Sequence, residues 1–336
     1  MEPVRFGVVS TSWIGCDWVI PAMQSVPECE VVAISSRDAA RATAAAERLG
    51  IPSAHGSLEA LLDDPSVEAV YIPTPNNCHV AETVTAARAG KHVLCEKPIG
   101  LDAAEAEQLV DVQRETGVTM SEAFMVRYHP RWLKAREILR SGRIGDVRTI
   151  HATYSVYNPN DDDIRFRPEL GGGALGDVGI YPITAARFLF EAEPLAAFAR
   201  MERPSPDAVD YAVAGMLEFP EGRSLLFSGS LRQGWCHWIN VTGTDGALEM
   251  PISVWPQPDQ ETIIRIRERD DLRDEAAEVL RFPPVNQYEE QVATFARVVR
   301  GEIENPWPIA NAVAGMRVLD AVLRSAESGS RCEIVS

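Results

Sequence analysis

The sequence predicts two domains: an α/β domain with a parallel sheet, followed by an α+β domain with an open, mostly antiparallel sheet. Across residues 1–122, short apolar strands alternate with helices of roughly 10–15 residues, a pattern typical of a doubly wound parallel sheet. Across residues 123–336, several segments alternate apolar with polar side chains, as strands with one exposed face do. The length of 336 residues is sufficient for both domains.

Composition and charge narrow the classes of function. A net charge of −17 at pH 7 repels phosphate backbones, so a nucleic-acid partner is not expected. No apolar run approaches the roughly 18 residues that span a bilayer, and the N-terminus lacks the pattern of a signal peptide. The six cysteines include no CxxC pair, which argues for reduced thiols and against a metal site. We therefore expect a soluble cytoplasmic protein with no membrane partner.

A turn of small residues follows the first strand. This strand, Arg5–Val9, is apolar, and a helical pattern begins after Gly15. Between them, the G-x-G-x-x-G sequence of dinucleotide-binding proteins is reduced to Ser10-x-Ser12-x-x-Gly15, and serine is still small enough for close approach to a phosphate. Backbone amides at the start of the helix would bind a pyrophosphate. The expected cofactor contacts here are Ser10, Thr11, Ser12, Trp13 and Ile14.

The end of the second strand bears on the choice between NAD and NADP. After this strand, Glu30–Ile34, an acidic residue normally binds the ribose 2′-hydroxyl of NAD. Here that position is Ser36, and Arg37 follows it. A hydroxyl beside a guanidinium suits a 2′-phosphate, so NADP(H) is predicted in preference to NAD(H). In the alternative interpretation, Arg37 only caps a turn and Asp38 binds the ribose.

The remaining elements of the first domain follow the same alternation. Helices are predicted over residues 39–49, 57–62, 80–89 and 101–116, and strands over 69–73, 91–95 and from 118. Right-handed crossovers place the C-terminal ends of parallel strands at one edge of the sheet. The residues expected to line one crevice at this edge are Ser10, Ser36, Pro73 and Glu96.

The stretch Glu96-Lys97-Pro98 ends the strand over residues 91–95. Proline cannot donate to a sheet and turns the chain, and open α/β sheets bind ligands where their strands end. Without that context, a solvated Glu-Lys pair in a turn would be the simpler interpretation. Further cofactor contacts are expected from Thr74, Pro75, Asn76, His79, Glu96 and Lys97, although His79 can equally be a structural residue of the following helix.

The second domain is predicted from alternating segments and long helices. Strands are expected over residues 147–154, 212–219, 224–231 and 238–242, and helices over 130–139, 286–301 and 310–325. An exposed sheet face often forms a subunit interface, so we expect a homodimer or homotetramer joined through this sheet. The acidic run Asn160–Asp163 could bind a cation, but a solvated loop is the preferred interpretation.

A glycine-rich loop over Gly171–Pro182 provides a second group of candidate residues. Its three consecutive glycines allow a backbone to approach a ligand closely, and a helical stretch follows over residues 183–190. Asp177 and Tyr181 are four residues apart and would share a helix face. The alternative is that Asp177 caps the helix and Tyr181 packs in the core.

In this order and spacing, the three motifs resemble those of the glucose–fructose oxidoreductase/inositol dehydrogenase/rhizopine-catabolism (Gfo/Idh/MocA) family. The resemblance runs from about residue 4 to residue 332. The stretch Glu122–Pro130 and the loop that ends in Tyr181 are most similar to those of dimeric dihydrodiol dehydrogenases and D-xylose dehydrogenases. Many members have histidine in place of Tyr181 and aspartate in place of Thr184, which disfavours an inositol dehydrogenase and points to a tyrosine acid/base.

The resemblance implies an N-terminal Rossmann domain and hydride transfer between a nicotinamide and the carbinol or carbonyl carbon of a sugar or diol. It assigns the family's lysine to Lys97, its aspartate to Asp177 and its acid/base to Tyr181, with Lys97 stabilising negative charge on the tyrosine and on the substrate oxygen. Arg127 and Arg165 are further candidates for binding substrate. The alternatives are a non-catalytic NAD(P)-binding redox sensor and a reductase of nucleotide-linked ketosugars.

Overall fold

The computed structural model describes residues 2–270 and 276–335, which contain the following strands and helices in chain order. The strands are β1 (Val4–Val9), β2 (Cys29–Ser35), β3 (Ser53–His55), β4 (Ala69–Ile72), β5 (His92–Glu96), β6 (Met120–Ala123), β7 (Val147–Tyr157), β8 (Ala196–Glu202), β9 (Ala212–Glu218), β10 (Ser224–Ser230), β11 (Arg232–Gly243), β12 (Gly246–Pro251), β13 (Thr262–Glu268), β14 (Glu278–Phe282) and β15 (Cys332–Glu333). The helices are α1 (Ile20–Ser25), α2 (Ala39–Leu49), α3 (Leu58–Leu62), α4 (His79–Arg88), α5 (Ala103–Thr116), α6 (Pro130–Arg140), α7 (Ile180–Phe190), α8 (Gln287–Val299) and α9 (Ile309–Ser328).

The chain divides into two compact units. The first comprises Met1–Met125 and Asn286–Met316, and the second comprises Val126–Val285 and Arg317–Ser336. We had predicted that all of residues 123–336 would form one domain. The structure instead returns residues 286–316 to the first unit.

The return of α8 to the first unit has a clear physical cause. Phe295 of α8 packs against Phe6 of β1 with ring centroids 6.0 Å apart, and both side chains are buried. Just after α8, the guanidinium of Arg300 pairs with the Glu68 carboxylate at 2.8 Å. The amphipathic pattern of α8 predicts its helical form, but it does not indicate which sheet its apolar face covers.

The first unit is built around a parallel sheet, which confirms the predicted doubly wound fold. In the described chain this sheet has the strand order β3-β2-β1-β4-β5-β6, and every pair is parallel. The central strands β1, β4 and β5 are almost wholly buried, as strands covered by helices on both faces must be. The short edge strand β3 was not predicted, because three residues carry too little periodicity.

Local signals in the sequence fix several helix ends of the first unit. Ser57, the first residue of the helix predicted over 57–62, accepts a hydrogen bond from the Ala60 amide at 3.1 Å and so caps α3. Gly50 and Gly117 end α2 and α5 at the predicted positions. The Asp38 side chain caps α2 by accepting hydrogen bonds from the amides of Ala40 and Arg41.

The second unit is built around an open sheet that is mostly antiparallel, as predicted. Among the described residues it contains nine strands in the order β14-β13-β12-β11-β7-β10-β9-β8-β15, of which only β7 and β10 pair in parallel. Helix α7 covers one face of β7 and β10, and all of its residues are buried. The strands β8 and β12–β15 were not predicted. Among residues 2–270 and 276–335, no helix is both long and apolar enough to cross a membrane.

Candidate active site

The C-terminal ends of the strands in the first unit meet at one edge, as predicted. The Ser10 amide donates to the Ser35 carbonyl at 3.0 Å, and the Ser10 hydroxyl donates to the Pro73 carbonyl at 3.2 Å. The Tyr71 hydroxyl donates to the Glu96 carboxylate at 2.7 Å. These bonds connect the ends of β1, β2, β4 and β5. The edge therefore presents the candidate residues of all four strands together.

The turn after β1 has the backbone shape that a dinucleotide site requires. Ser10 has φ of 90°, a left-handed conformation normally adopted by glycine, and such strain is concentrated at functional sites. The Ser12 hydroxyl accepts from the Gly15 amide at 3.2 Å. A Cβ on Gly15 would lie 3.1 Å from Ser12 Oγ and 3.2 Å from Pro73 Cγ. The turn is therefore tight around Gly15, where no side chain separates the backbone from Ser12 and Pro73, which fits a pyrophosphate at the start of the helical segment.

The remaining predicted cofactor residues of this turn are accessible. Thr11, Ser12 and Ile14 are half-buried, and Trp13 is exposed and packs its edge against Trp18. Thr74, Pro75 and Asn76, in the loop after β4, are also half-buried. Their roles as cofactor contacts stay predictions.

The structure weakens the alternative in which Asp38 binds the ribose. Its carboxylate accepts from the Ala40 amide at 2.9 Å and the Arg41 amide at 3.3 Å, so it caps α2. Arg37 is exposed, and its charge reaches the Glu82 carboxylate of α4. Burial raises the pKa of Glu82, while a hydrogen bond from Thr74 and the Arg37 charge act in the opposite direction. Arg37 thus lies near the edge with its guanidinium accessible to an anion.

Lys97 follows a carboxylate that is held inside the unit. Glu96 accepts hydrogen bonds from the Tyr71 hydroxyl and, at 3.3 Å, from the Lys97 amide. Burial raises the pKa of Glu96, whereas the Tyr71 hydrogen bond and the Lys97 charge oppose that shift. The bonds made by Glu96 fix the backbone from which the Lys97 side chain projects.

His79 is a structural residue, contrary to its predicted role as a cofactor contact. Its side chain is fully buried, and its Nδ1 and Nε2 lie 2.7 Å and 2.8 Å from the carbonyl oxygens of Pro98 and Thr74. Burial lowers the pKa of His79, and the two carbonyls act in the opposite direction. No ring nitrogen is left for a cofactor, and the ring instead ties together the loops that carry Thr74 and Lys97.

In the second unit, Asp177 is held by an arginine. The Arg165 Nε donates to Asp177 Oδ2 at 2.8 Å, and Arg165 Nη1 lies 3.2 Å from Asp163. The negative charge of Asp177 raises the pKa of Arg165, despite the opposing effect of burial. This ion pair brings together two candidates that lie twelve residues apart in the sequence, and it orients the Asp177 carboxylate.

Asp177 is not the helix cap considered as the alternative. It lies within a π-helical turn, Leu175–Gly179, that precedes α7, and neither segment has a side-chain cap at its start. The capping role belongs to Asp210, whose carboxylate accepts from the Leu175 amide at 2.7 Å while its carbonyl accepts from the Ala174 amide. Asp210 was missed, because no motif surrounds it in the sequence.

The glycine-rich loop packs closely against its own chain, and its approach to a ligand stays a prediction. A Cβ on Gly172 would lie 2.5 Å from the Arg165 carbonyl oxygen, and one on Gly173 would lie 2.4 Å from Asp210 Oδ1. Gly173 also has φ of 127°, which side-chain-bearing residues rarely adopt. The glycines therefore allow the Arg165 carbonyl and the Asp210 carboxylate to pack closely against the start of the segment that carries Asp177.

Tyr181 lies on α7 and is 6% exposed. Its ring meets the ring of Tyr154 edge-on, with centroids 5.0 Å apart and an interplanar angle of 84°. Burial raises the pKa of Tyr154, the charge of Asp177 raises it further, and Arg165 opposes the shift. The structure thus groups Tyr181, Tyr154, Asp177 and Arg165. Tyr154 was not predicted, since an isolated tyrosine in a strand carries no sequence signal.

The acidic loop is solvated, as the preferred interpretation predicts, and its exposed aspartates also form ion pairs. Asp161 pairs with Arg232, Asp162 pairs with Arg167 at 2.8 Å, and Asp163 pairs with Arg165. A cation at this loop would have to displace these arginines. The other predicted arginine, Arg127, is 3% exposed in the turn before α6, and its role in binding substrate stays a prediction.

Comparisons with known proteins match both units. Residues 4–124 match the oxidoreductase family with an NAD-binding Rossmann fold, and residues 132–249 match the GFO/IDH/MocA C-terminal domain. An uncharacterized oxidoreductase of Rhizobium meliloti, ORF334, is 40% identical over 330 residues, which cover 98% of this chain and 99% of that protein. The D-xylose 1-dehydrogenase (NADP(+)) 2 of Haloferax volcanii is 38% identical over 332 residues, which cover 98% and 100%.

A solved structure extends the comparison to three dimensions. KijD10, a 3-ketoreductase from Actinomadura kijaniata in complex with NADP and TDP-benzene, has a TM-score of 0.89 to this chain at 30% sequence identity. The similarity covers 96% of this chain and 98% of that one.

Proposed function

Because the chain belongs to the Gfo/Idh/MocA family of oxidoreductases, we propose that it transfers a hydride between NADP(H) and the carbinol or carbonyl carbon of a sugar. The observation that carries the proposal is the grouping on the second unit of Tyr181 and Asp177 with Arg165. A tyrosine can exchange a proton with a substrate hydroxyl, and a carboxylate oriented by an arginine can accept hydrogen bonds from the other hydroxyls of a polyhydroxyl substrate. The relative named as an NADP-dependent D-xylose dehydrogenase supports an aldose as the substrate.

NADP(H) is the proposed cofactor, with NAD(H) as the lesser alternative. The cap formed by Asp38 removes the acid that would bind a ribose 2′-hydroxyl, and exposed Arg37 suits a 2′-phosphate. The Haloferax relative is named as an NADP(+)-dependent enzyme, and the solved ketoreductase is a complex with NADP. The tight turn at Ser10 would bind the pyrophosphate, and Glu96 and Lys97 would lie towards the nicotinamide.

The proposed chemistry divides the work between three side chains. A bound nicotinamide supplies the hydride acceptor or donor. In the oxidative direction, Tyr181 accepts the proton of the substrate hydroxyl as the hydride leaves the same carbon, and a carbonyl results. The ammonium of Lys97 stabilises the negative charge on the substrate oxygen during this step. Asp177, held by Arg165, accepts hydrogen bonds from neighbouring sugar hydroxyls. The reductive direction uses the same groups in reverse.

The solved ketoreductase offers independent support for the lysine and tyrosine. Its structures include one variant with a lysine replaced by alanine and another with a tyrosine replaced by phenylalanine. The number of residues that separates those two positions equals the number that separates Lys97 from Tyr181. This agreement supports the assignment of equivalent roles in the present chain.

A second candidate function is the reduction of a nucleotide-linked ketosugar, which the complex of the ketoreductase with TDP-benzene favours. Both candidates use the same residues, so a substrate panel distinguishes them. We propose measuring NADP⁺ reduction with D-xylose and other aldoses, and NADPH oxidation with TDP-linked ketosugars. Turnover of aldoses supports the first candidate, and turnover restricted to TDP-sugars supports the second. A cofactor-loaded protein that turns over neither would favour the non-catalytic sensor.

Assembly through the sheet of the second unit also stays a proposal. Phe198, Met216 and Leu226 occupy one cross-strand row of β8, β9 and β10. Phe198 is 45% exposed and Leu226 is 42% exposed, so this row leaves apolar surface in contact with solvent. Such surface supports the expected homodimer or homotetramer.

Tyr181→Phe and Lys97→Ala should each lower kcat by about 10²-fold or more, because each removes a group that acts on the reacting oxygen. NADPH binding, followed by its fluorescence, should be retained in both variants. Tyr157→Phe and Lys134→Ala are matched controls, since Tyr157 is exposed, Lys134 is half-buried, and both lie outside the group around Tyr181. Undiminished turnover in either test variant with cofactor bound would contradict the proposed mechanism.

A further inference from the structure

A row of aromatic side chains leads away from Tyr181 within the second unit. Tyr154 follows Tyr181, and the His237 ring lies 5.7 Å from that of Tyr154. Trp235 lies 6.0 Å from His237, and Trp255 lies 5.9 Å from Trp235. Tyr154 and His237 are cross-strand partners on β7 and β11. Tyr154, His237, Trp235 and Trp255 thus form a continuous aromatic wall that begins at Tyr181, the proposed acid/base.

The local backbone explains why Trp235 is presented to solvent. The pairing of β11 with β7 shifts register between Arg232 and Cys236, and such irregularities redirect side chains next to active sites. Trp235 lies within this interval and is 59% exposed. Trp235 therefore presents an aromatic face to solvent, on the far side of His237 from Tyr154, where the apolar face of a sugar ring can stack on it.

The hydroxyl of Tyr154 lacks an internal partner. The residue is only 7% exposed, yet no residue among 2–270 and 276–335 makes a hydrogen bond to this hydroxyl. The hydroxyl oxygen itself reaches solvent at the surface of the unit, so it is accessible to a ligand that completes the bond. The neighbouring charge of Asp177 favours the protonated phenol, which can donate as well as accept.

His237 is a fixed hydrogen-bond donor. The Trp255 amide donates to His237 Nδ1 at 3.2 Å, so this nitrogen carries the lone pair. Burial, followed by the charge of Arg131, lowers the pKa of His237 to about 4, and the ring is therefore neutral near pH 7. The single ring proton must then sit on Nε2. In the described part of the chain, no group accepts a hydrogen bond from this nitrogen.

The arginines that flank this wall are already engaged. Arg165, Arg167 and Arg232 pair with the three aspartates of the acidic loop. The guanidinium of Arg131 donates to the carbonyls of Pro251, Ile252 and Ser253. Phosphate recognition normally uses arginines that are free to make bidentate contacts. The wall therefore offers neutral donors and an aromatic face.

We propose that Tyr154, His237 and Trp235 form a subsite for an unphosphorylated sugar ring. The Tyr154 hydroxyl and the His237 Nε2–H donate to hydroxyls of the sugar, and Trp235 stacks on its apolar face. This inference rests on the proposed function, because it assigns the part of the substrate that lies beyond the carbon on which Tyr181 acts. It also favours a free aldose over a nucleotide-linked sugar.

The first test measures sugar binding without catalysis. Tryptophan fluorescence of the full chain is followed while D-xylose, D-glucose and L-arabinose are titrated in turn. We expect a saturable change with at least one sugar, and we expect Trp235→Phe to abolish it. A wild-type chain that responds to none of the sugars overturns the subsite. A response without turnover of any sugar supports the subsite and contradicts the proposed function.

The second test measures catalysis with the sugar that is turned over best. Tyr154→Phe and His237→Phe should each raise KM by about 3- to 10-fold, the effect of losing one neutral hydrogen bond, with kcat and the NADP⁺ Kd unchanged within about twofold. Tyr157→Phe is the matched control. Unchanged KM in both variants overturns the subsite and leaves the proposed function intact. D-Xylose 5-phosphate and TDP-glucose should bind at least about 10-fold more weakly than the free sugar, and tighter binding of either overturns the preference for an uncharged ligand.

Discussion

At the scale of single residues, the candidate site depends on side chains that orient one another through hydrogen bonds and ion pairs. Arg165 orients the Asp177 carboxylate, Glu96 fixes the backbone of Lys97, and Asp38 serves as a helix cap beside Ser36 and Arg37. Each of these functional candidates is thus supported by a neighbouring side chain.

Arg37→Ala should shift cofactor preference from NADPH towards NADH. Loss of a hydrogen bond between a guanidinium and a phosphate is expected to lower kcat/KM for NADPH by about 10-fold or more, with little effect on NADH. The measurement is the ratio of kcat/KM for the two cofactors. Arg41→Ala, an exposed arginine on α2, serves as the control. An unchanged ratio in Arg37→Ala would assign the 2′-phosphate to another residue.

The sequence predicts the residues that stand in motifs and misses those that are brought in by folding. Lys97, Asp177 and Tyr181 belong to recognisable local patterns. Tyr154, by contrast, is distant from those patterns along the chain and lies near Asp177 only because β7 packs against α7 and the segment before it. Asp210 is equally distant and reaches the amide of Leu175 from the loop before β9. His79 shows the reverse error, since its position near the cofactor loop suggested a contact that its burial prevents.

At the scale of elements, the segment before α7 is organised by Asp210 and two glycines. The carboxylate of Asp210 accepts from the Leu175 amide, and Gly172 and Gly173 let the chain pass close to Arg165 and Asp210. The positions of Asp177 and Tyr181 therefore depend on the backbone contacts that Asp210, Gly172 and Gly173 make at the start of this segment.

Gly173→Ala should lower the free energy of unfolding by about 1–3 kcal/mol, because the new side chain would adopt a disfavoured φ and collide with Asp210. Urea unfolding followed by tryptophan fluorescence measures this change. Gly234→Ala is the matched control, since a Cβ there would meet no atom within 4 Å and the φ of Gly234 lies outside the left-handed range. Equal stabilities of the two variants would show that the loop yields without strain.

Elements of the first unit were easier to predict than those of the second. Alternating strands and helices with clear stops such as Gly50 and Gly117 define the parallel sheet almost residue by residue. In the second unit, β15 has two residues and β14 is mostly exposed, so neither shows a strong apolar alternation. Their pairing is set by neighbouring strands, which the local sequence does not encode.

At the scale of the whole molecule, both units contain histidines whose pKa lies below the ordinary value because of burial. Burial lowers the pKa of His79 and His92 in the first unit. In the second unit, burial and the charge of Arg131 lower the pKa of His129 to about 3 and that of His237 to about 4. These groups resist protonation in the folded state and accept protons freely in the unfolded state.

Stability should therefore fall as the pH decreases below about 6.5, the ordinary pKa of histidine. Between that pH and the folded-state pKa values of about 4 for His237 and about 3 for His129, the unfolded chain binds more protons, so each group removes up to about 1.4 kcal/mol per pH unit. Urea unfolding at pH 7.0 and about pH 5.5 measures the slope. His129→Asn, which keeps a helix cap, should reduce it, and exposed His151→Gln should not. An identical slope in wild type and His129→Asn would assign the acid sensitivity elsewhere.

The discontinuity of the first unit has a consequence for synthesis on the ribosome. Its sheet is complete in sequence by Ala123, but Phe295, which packs on Phe6, and Arg300, which pairs with Glu68, are translated only after the whole of Val126–Val285. The nascent dinucleotide-binding unit must therefore wait, with part of its apolar surface uncovered, while the second unit emerges. Protection of that surface during translation is a requirement built into the order of the chain.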